Sequence, residues 1–543
     1  MTSFPDGAMP SRYNDLTHDE LVRLLEARDR RDSTRFGLVW EANEIDRDKA
    51  VNADFVALDL IPEQCVGAAP WRNLIIEGDN FDALRYLRMA YAGQVKCIYI
   101  DPPYNTGNRD FVYNDRFVDA NDCWRHSTWC EFMYQRLMLA KDLLRQDGVI
   151  FVSIDDNEVF ALGMLMKRVF GENHAVATFI WKRRTTPDSR NLNGVSGDHE
   201  YILAYKAGDG FRVRGRDKDL TKYSNPDNDP LGPWMSDNLT GLANATERPN
   251  LHYEVVNPKT GIHYPPHPSR GWIYGQERMA ELIKKGRILW PKLSSGRPRL
   301  KRYVTDMQSE VTGFSTILDA PGNVEATKEL AELLGPKLFS FPKPTGLIGQ
   351  LVQQATGPDD LVIDFFAGSG TTAHAVLKLN AEDGGTRRFI LVSNAEATTA
   401  DPDKNLCRDV CAKRVRRVIE GYGKNPGLGG DFAYLRCRRI APGRLVEVEH
   451  AQVWTALQMI HRETLEPYAP AEYLWAGDDE GALLYVPRFS LKLVASLRKK
   501  VKQSAAVVVY SWQPETLRQH IRAAHVQHEA IPESLARRFG MKG

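Results

Sequence analysis

The chain has 543 residues, of which 43% are hydrophobic and 26% charged, with a formal net charge of +1. Such a length and balance exclude a disordered or fibrous chain and predict two to four globular domains. Near-neutrality excludes a polycation, so any nucleic-acid binding must rest on locally concentrated basic residues.

Residues 1–65 are expected to form an N-terminal helical region. In "LTHDELVRLLEARDRRD", Thr17 and Glu20 fit a capping box, and Leu21, Leu24 and Leu25 form an apolar stripe. Residues 66–210 then alternate between strand and helix patterns. "RNLIIEGDNFDALRYL" reads as strand, acidic turn and amphipathic helix, and "KCIYIDPPYNTG" as the next strand. "CEFMYQRLMLAKDLLRQDGVIFVSIDD" reads as a long helix closing on Asp147-Gly148 before another buried strand. "HAVATFIWKRR" and "EYILAYKA" are two further strands, and the alternation predicts a parallel sheet covered on both faces. Residues 211–338 lose this rhythm. They carry the basic run Lys284, Lys285, Arg287, Lys292, Arg297, Arg299, Lys301 and Arg302 against one acid, Glu281, with Trp290 and Tyr303 interleaved. That run is either a solvated face or a phosphate-contacting surface. The α/β rhythm returns in residues 339–435, and residues 436–543 read as a small, separate α/β extension.

Seven cysteines spread along the chain suggest reduced thiols, and neither Cys407/Cys411 nor Cys123/Cys130 has a partner pair at zinc-site spacing, so no metal is expected. No apolar run is long enough to span a bilayer, and "MTSFPDGAMPSRYNDL" lacks a secretory pattern, so the expectation is a cytoplasmic protein without membrane contact.

Two short stretches carry chemistry. In "LVIDFFAGSGTTAHAV" a buried strand runs into Asp364, turns through Gly368 and Gly370, and enters a helix at Thr371. Glycines permit close approach of the backbone to a ligand, and a helix N-terminus offers unpaired N–H groups to an anion. Glu396, expected at the end of the next strand, could accept from two ribose hydroxyls. Ala373 stands where a full G-x-G-x-x-G has its last glycine, which weakens the dinucleotide reading. In "DPPYNTG", Asp101 and the carbonyl of Pro102 can converge as two acceptors on one exocyclic amino group. Pro103 stiffens the turn, and Tyr104 offers a flat face. Holding both amino protons would make the nitrogen a better nucleophile. Trp124 and Trp129 are expected to anchor the loop that follows; His126 and His374 receive no role.

"DPPYNTG" followed by Phe111–Asp115 resembles the catalytic motif of adenine-N6 DNA methyltransferases, and "DFFAGSGTT" resembles their S-adenosylmethionine loop. The catalytic motif precedes the cofactor loop, with the basic insert between them, as in the β group of amino-methyltransferases. "IIEGDN", "WKRR", "DHEYILAYK", "FPKP" and "RRFILVSNAE" match as well, so the resemblance spans about residues 70 to 425. The wider layout resembles the modification (Mod) subunits of Type III restriction–modification systems. The resemblance implies a Rossmann-like, S-adenosylmethionine-dependent methyltransferase sheet with circularly permuted motif order, an inserted target-recognition domain at 211–338, and duplex DNA as substrate. It also implies that Asp101, Pro102, Pro103 and Tyr104 hold a flipped-out adenine, and that Phe366, Gly368, Ser369 and Gly370 pack on the cofactor with Asp364. Lys343 and Thr371 would face its carboxylate, Glu396 its ribose and Asp79 its adenine. A homodimer and a separate restriction subunit are further implied. Cytosine-N4 methylation stays open as the near alternative, although that class usually has Ser in place of Asp101. A solitary methyltransferase is open as well. An NAD-dependent oxidoreductase would explain Asp364 to Glu396 and leave Asp101 without a role.

Overall fold

The computed structural model describes residues 54–540 apart from 114–115, 120–124, 188–193, 243, 268, 294, 337 and 398–401. The expected helix around Leu21, together with Trp124, Asn114 and Asp115, lies outside the described residues. The chain divides into two compact units, Arg214–Phe314 and the remainder.

The larger unit is built on one ten-stranded sheet. Its strands are β1 (Phe55–Leu60), β2 (Leu74–Glu77), β3 (Val95–Ile100), β4 (Leu144–Ile154), β5 (Ala175–Lys182), β6 (His199–Lys206), β7 (Ile317–Leu318), β8 (Leu361–Asp364), β9 (Arg388–Ser393) and β10 (Ala433–Ile440). They lie in the order β1-β10-β2-β9-β8-β3-β4-β6-β5-β7. The six strands from β10 to β4 are parallel. Alternation along them fills two layers. Ile98, Ile100, Ile363, Ile390 and Val392 enter one core cluster, while Cys97, Val362, Phe389 and Leu391 between them are also buried. Helices α1 (Asn80–Tyr91), α2 (Arg125–Leu143) and α3 (Val159–Phe170) pack in sequence on one another. Helices α4 (Asn323–Leu334), α5 (Thr345–Ala355), α6 (Thr371–Asp383) and α7 (Lys413–Glu420) form a second group.

The sheet is mixed at its ends, which corrects the all-parallel expectation. β6 runs antiparallel to both β4 and β5, and β1 is antiparallel to β10. A parallel return needs a crossover, which is usually a helix, and no helix is described between Lys182 and His199. Helix α2 also stops earlier than the Asp147-Gly148 signal suggests. Those two residues lie inside β4, where Lys96 Nζ reaches Asp147 Oδ2 at 2.8 Å and a Cβ on Gly148 would stand 2.9 Å from the Val95 carbonyl. The glycine serves an irregularity in the β3–β4 register, not a helix end.

Beyond β10, α8 (His450–His461) packs on α1 and β1. A four-stranded sheet over residues 474–530 follows. Its Leu474, Tyr485 and Tyr510 share the core of α1 and β1, so this extension is not a separate body. Likewise Ile317–Leu318 pairs with β5 and α4 packs on α7, so residues 315–338 belong to the larger unit although their composition grouped them with the insert. Among the described residues no helix is long and apolar enough to cross a membrane.

The smaller unit has its own core of Leu239, Val255, Trp272, Met279, Leu282, Ile288 and Leu300. A three-stranded sheet (Trp234–Asp237, Arg299–Tyr303, Ile288–Leu289) and the helix Gln276–Lys284 enclose it.

Candidate active site

Four parallel strands deliver the chemistry-bearing turns to one rim. β8 pairs with β3 through Val362↔Cys97 and Ile363↔Ile98, so Asp364 and Asp101 leave the sheet at the same edge from adjacent strands. β9 and β2 continue the row, with Ser393 opposite Glu77. Carboxyl ends of parallel strands are where open α/β sheets bind ligands. The turns are also tied together: Asn80 Nδ2 donates to the Phe365 carbonyl (3.0 Å), and Arg136 Nε donates to Asn80 Oδ1 (2.5 Å).

At the Asp101 turn, Lys343 Nζ lies 2.8 Å from both carboxylate oxygens and 2.8 Å from the Tyr104 hydroxyl. Tyr104 Oη is 2.9 Å from Asp101 Oδ1 and 3.0 Å from Glu200 Oε2, so its one proton can serve either acid. Glu200 lies 3.3 Å from Lys343 Nζ and 3.4 Å from Arg183. Lys343 and Glu200 are buried, while the Asp101 side chain keeps 26% of its surface. Burial pushes the Asp101 carboxyl up, Lys343 opposes it and Glu200 adds to it. Burial works against the Lys343 ammonium, but Asp101 and Glu200 hold its pKa above the ordinary lysine value. The turn itself is fastened from behind. Trp129 Nε1 donates to the Pro103 carbonyl (2.7 Å), and buried Asn105, at φ +57°, donates to Glu158 (2.6 Å). Trp129 therefore anchors the Asp101–Tyr104 turn itself, where it was expected to anchor the loop that follows.

The second turn is fixed by Asp364. Its carboxylate accepts from Phe366 N–H (3.0 Å) and from the Thr372 hydroxyl (2.5 Å), which closes the loop onto the first turn of α6. Gly370 caps α6 at φ +79°, with no side-chain bond to the helix N-terminus. Arg414, fully buried, donates to Ser369 and Thr371 and pairs with Glu329 at 3.1 Å. Burial raises Asp364 to about 7, with Thr372 and Phe366 N–H pulling the other way. The unfolded carboxyl ionises near 4, so this group stabilises the fold most at low pH, and that contribution is lost as pH rises through about 7. Asp364→Asn mimics the protonated acid. Its stability relative to wild type should improve by about 2 kcal/mol between pH 5.5 and pH 8 in chemical denaturation. A pH-independent difference would mean that the folded carboxyl is ionised throughout.

Several expected residues lie elsewhere or act differently. The Lys343 ammonium, expected on a cofactor carboxylate, sits on Asp101, Tyr104 and Glu200; its backbone carbonyl accepts from Thr371 (3.2 Å). Glu396 does not end a strand. β9 stops at Ser393, and Glu396 stands exposed at φ +53° with Lys404 Nζ 2.8 Å away. At Gly370 the close neighbour is protein: an added Cβ would stand 3.1 Å from Cys411 Sγ. Asp79 caps α1 through Phe81 N–H and remains half exposed. Phe366 is partly buried, its ring 6.0 Å from that of Phe132. Glu200, Arg183, Arg414 and Glu329 received no role from the sequence, although the quoted "DHEYILAYK" contains the first of them and "WKRR" the second.

The basic run is not uniform. Lys301 is buried and paired with Asp227 and Asp229, and Arg287 binds Asp306 while lying 4.9 Å over the Tyr303 ring. Arg302 pairs with Asp237, and Arg299 donates to Ser236. Lys284, Lys285, Lys292 and Arg297 are exposed. Tyr303 is core, and Trp290 packs against Tyr264.

The Type III restriction-modification enzyme StyLTI Mod subunit of Salmonella typhimurium is 34% identical over 402 residues, covering 68% of this chain and 60% of that protein. The EcoPI Mod subunit of Escherichia phage P1 is 35% identical, covering 60% and 58% respectively. This chain thus spans about three fifths of the length of those two relatives. The Type II methyltransferase M.KpnI of Klebsiella pneumoniae is 31% identical, covering 59% of this chain and 80% of that enzyme. The profile of the DNA methylase (N6/N4 methyltransferase) family matches residues 95–393, from the start of β3 to the end of β9. Both turns at the rim fall within that match, and the chain belongs to the N6/N4 DNA methylase family.

Proposed function

We propose that the protein transfers a methyl group from S-adenosylmethionine to the N6 amino group of adenine in duplex DNA, as the modification subunit of a Type III restriction–modification system. One observation carries the reading: the Asp101–Tyr104 turn and the Asp364–Thr372 loop leave adjacent parallel strands at one rim. The residues there fit the cofactor. The N-terminus of α6 has no side-chain cap, Phe366 is partly exposed beside it, and Asp79 and Asn80 border the same loop. Asp79, Phe366, the backbone of Gly368–Gly370 and Thr371 would hold it, while Asp364 keeps the loop in shape. When bound, S-adenosylmethionine supplies an electrophilic methyl group on a sulfonium.

The chain's own residues do the rest. An amino group seated between Asp101 and the Pro102 carbonyl has both protons accepted, which leaves its lone pair for attack. On methyl transfer an N–CH3 bond would replace the S–CH3 bond, and Asp101 would take the proton that the nitrogen sheds. Tyr104 and Trp129 hold the turn in register. A base within a duplex cannot reach this rim, so it must leave the stack at a cost of roughly a few kcal/mol. Asp101, where the cytosine-N4 class usually has Ser, favours adenine. The smaller unit, Arg214–Phe314, is the proposed target-recognition domain, narrower than the 211–338 expected from composition. Dimer formation, a restriction partner and a cytoplasmic location belong to the same proposal.

Single-base sequencing of genomic DNA from cells with and without this gene tests it. N6-methyladenine at one recurrent sequence, present only with the gene, is expected; unchanged genomic methylation would contradict it. Replacing Lys284, Lys285, Lys292 and Arg297 with Gln should weaken DNA binding and lower its salt slope by about 2 to 4. An unaltered slope would return these residues to a solvated face.

A further inference from the structure

The Lys343 ammonium covers both oxygens of the carboxylate that the proposed reaction needs for the substrate. Its contacts at 2.8 Å to Asp101 Oδ1 and Oδ2 engage a lone pair on each oxygen, and an incoming amino group would compete with the ammonium for that carboxylate. Buried charge is not easily displaced without another partner. That partner is present. Glu200 Oε2 lies 3.3 Å from the same Nζ, the Tyr104 hydroxyl bridges the two acids, and the rings of Tyr104 and Trp181 lie 4.9 and 5.9 Å from the ammonium. Arg183, 3.4 Å from the far oxygen of Glu200, keeps the set balanced at two acids and two cations.

We propose that Glu200 is a positioning residue that acts through Lys343. It is a second counter-ion to which the ammonium shifts when the substrate amine takes Asp101. The Tyr104 proton turns the opposite way, from Glu200 toward Asp101 or the substrate, so that no buried group loses its partner. This inference rests on the methyltransferase reading: it assigns Lys343 to latch the clamp before substrate arrives, and Glu200 to release it.

The test is a double-mutant cycle on tritiated methyl transfer to unmethylated plasmid DNA, with the full-length protein. Glu200→Gln should lower kcat at least tenfold while the KM for S-adenosylmethionine stays within threefold. In a Lys343→Gln background, the same change should cost less than threefold, because there is no longer an ammonium to release. Losses that multiply, a Glu200→Gln enzyme keeping more than a tenth of wild-type kcat, an altered cofactor KM, or a Lys343→Gln enzyme with no turnover would each overturn the proposal. Should Glu200→Gln fail to fold, Glu200→Asp enters the same cycle, with a threefold loss expected and abolished by Lys343→Gln. Wild-type protein that methylates no DNA would instead refute the activity itself.

Discussion

Asp101→Ala should lower methyl transfer about 1000-fold or more while leaving the affinity for S-adenosylmethionine within a few-fold. Removing one preorganised polar group from a charge-stabilising site typically costs a factor of about 100 to 1000. Here the same group also takes the departing proton. The fold should survive, because Lys343 and Tyr104 both retain Glu200 as partner when the Asp101 carboxylate is gone. Ile98 and Ile100, which carry the turn, are fully buried and untouched. Methyl transfer to plasmid DNA and calorimetric titration with cofactor measure the two effects separately. Retained turnover would remove Asp101 from the mechanism; a joint loss of turnover and cofactor affinity would make it a structural residue.

Gly368→Val should weaken cofactor binding about 100-fold. The residue sits at φ +49°, a conformation that a β-branched side chain adopts only under strain, and its Cβ would stand 3.1 Å from the Phe339 ring. The loop cannot absorb that change locally. Ala367 N–H is bonded to the Val392 carbonyl, Gly370 N–H to the Ala367 carbonyl and Phe366 N–H to Asp364. The strain therefore displaces the backbone that would face the cofactor. Gly384→Val is the control: Gly384 has φ +70° at the far end of α6, with nothing within 4 Å of its added Cβ. It should bind cofactor within threefold of wild type. Equal affinities for the wild type and Gly368→Val would detach this loop from the cofactor.

The two turns were legible because each is a local pattern. A β-branched run ending in Asp101-Pro102-Pro103-Tyr104, or in Asp364 followed by glycines, states its chemistry within ten residues. That the two lie on neighbouring strands was not legible in the sequence, since strand order is a long-range property. What stayed hidden depends on charges distant in sequence. The position of Lys343 on Asp101 joins residues 242 apart. Glu200 lies at the start of β6, just before its apolar stretch, where nothing nearby in sequence marks its carboxylate as buried. The basic run failed as a uniform reading for the same reason: Asp227, Asp229, Asp237 and Asp306 neutralise part of it from outside the window. Glu396 was expected at a strand end, whereas β9 stops at Ser393, where its apolar run gives out, three residues earlier.

The most direct measurement is mass spectrometry of nucleosides from unmethylated plasmid DNA, incubated with the protein and S-adenosylmethionine carrying a deuterated methyl group. The account predicts labelled N6-methyldeoxyadenosine with wild-type protein and none with Asp101→Ala or Gly368→Val at equal time. Label on N4 of deoxycytidine, no label on DNA, or label undiminished in either variant would contradict it.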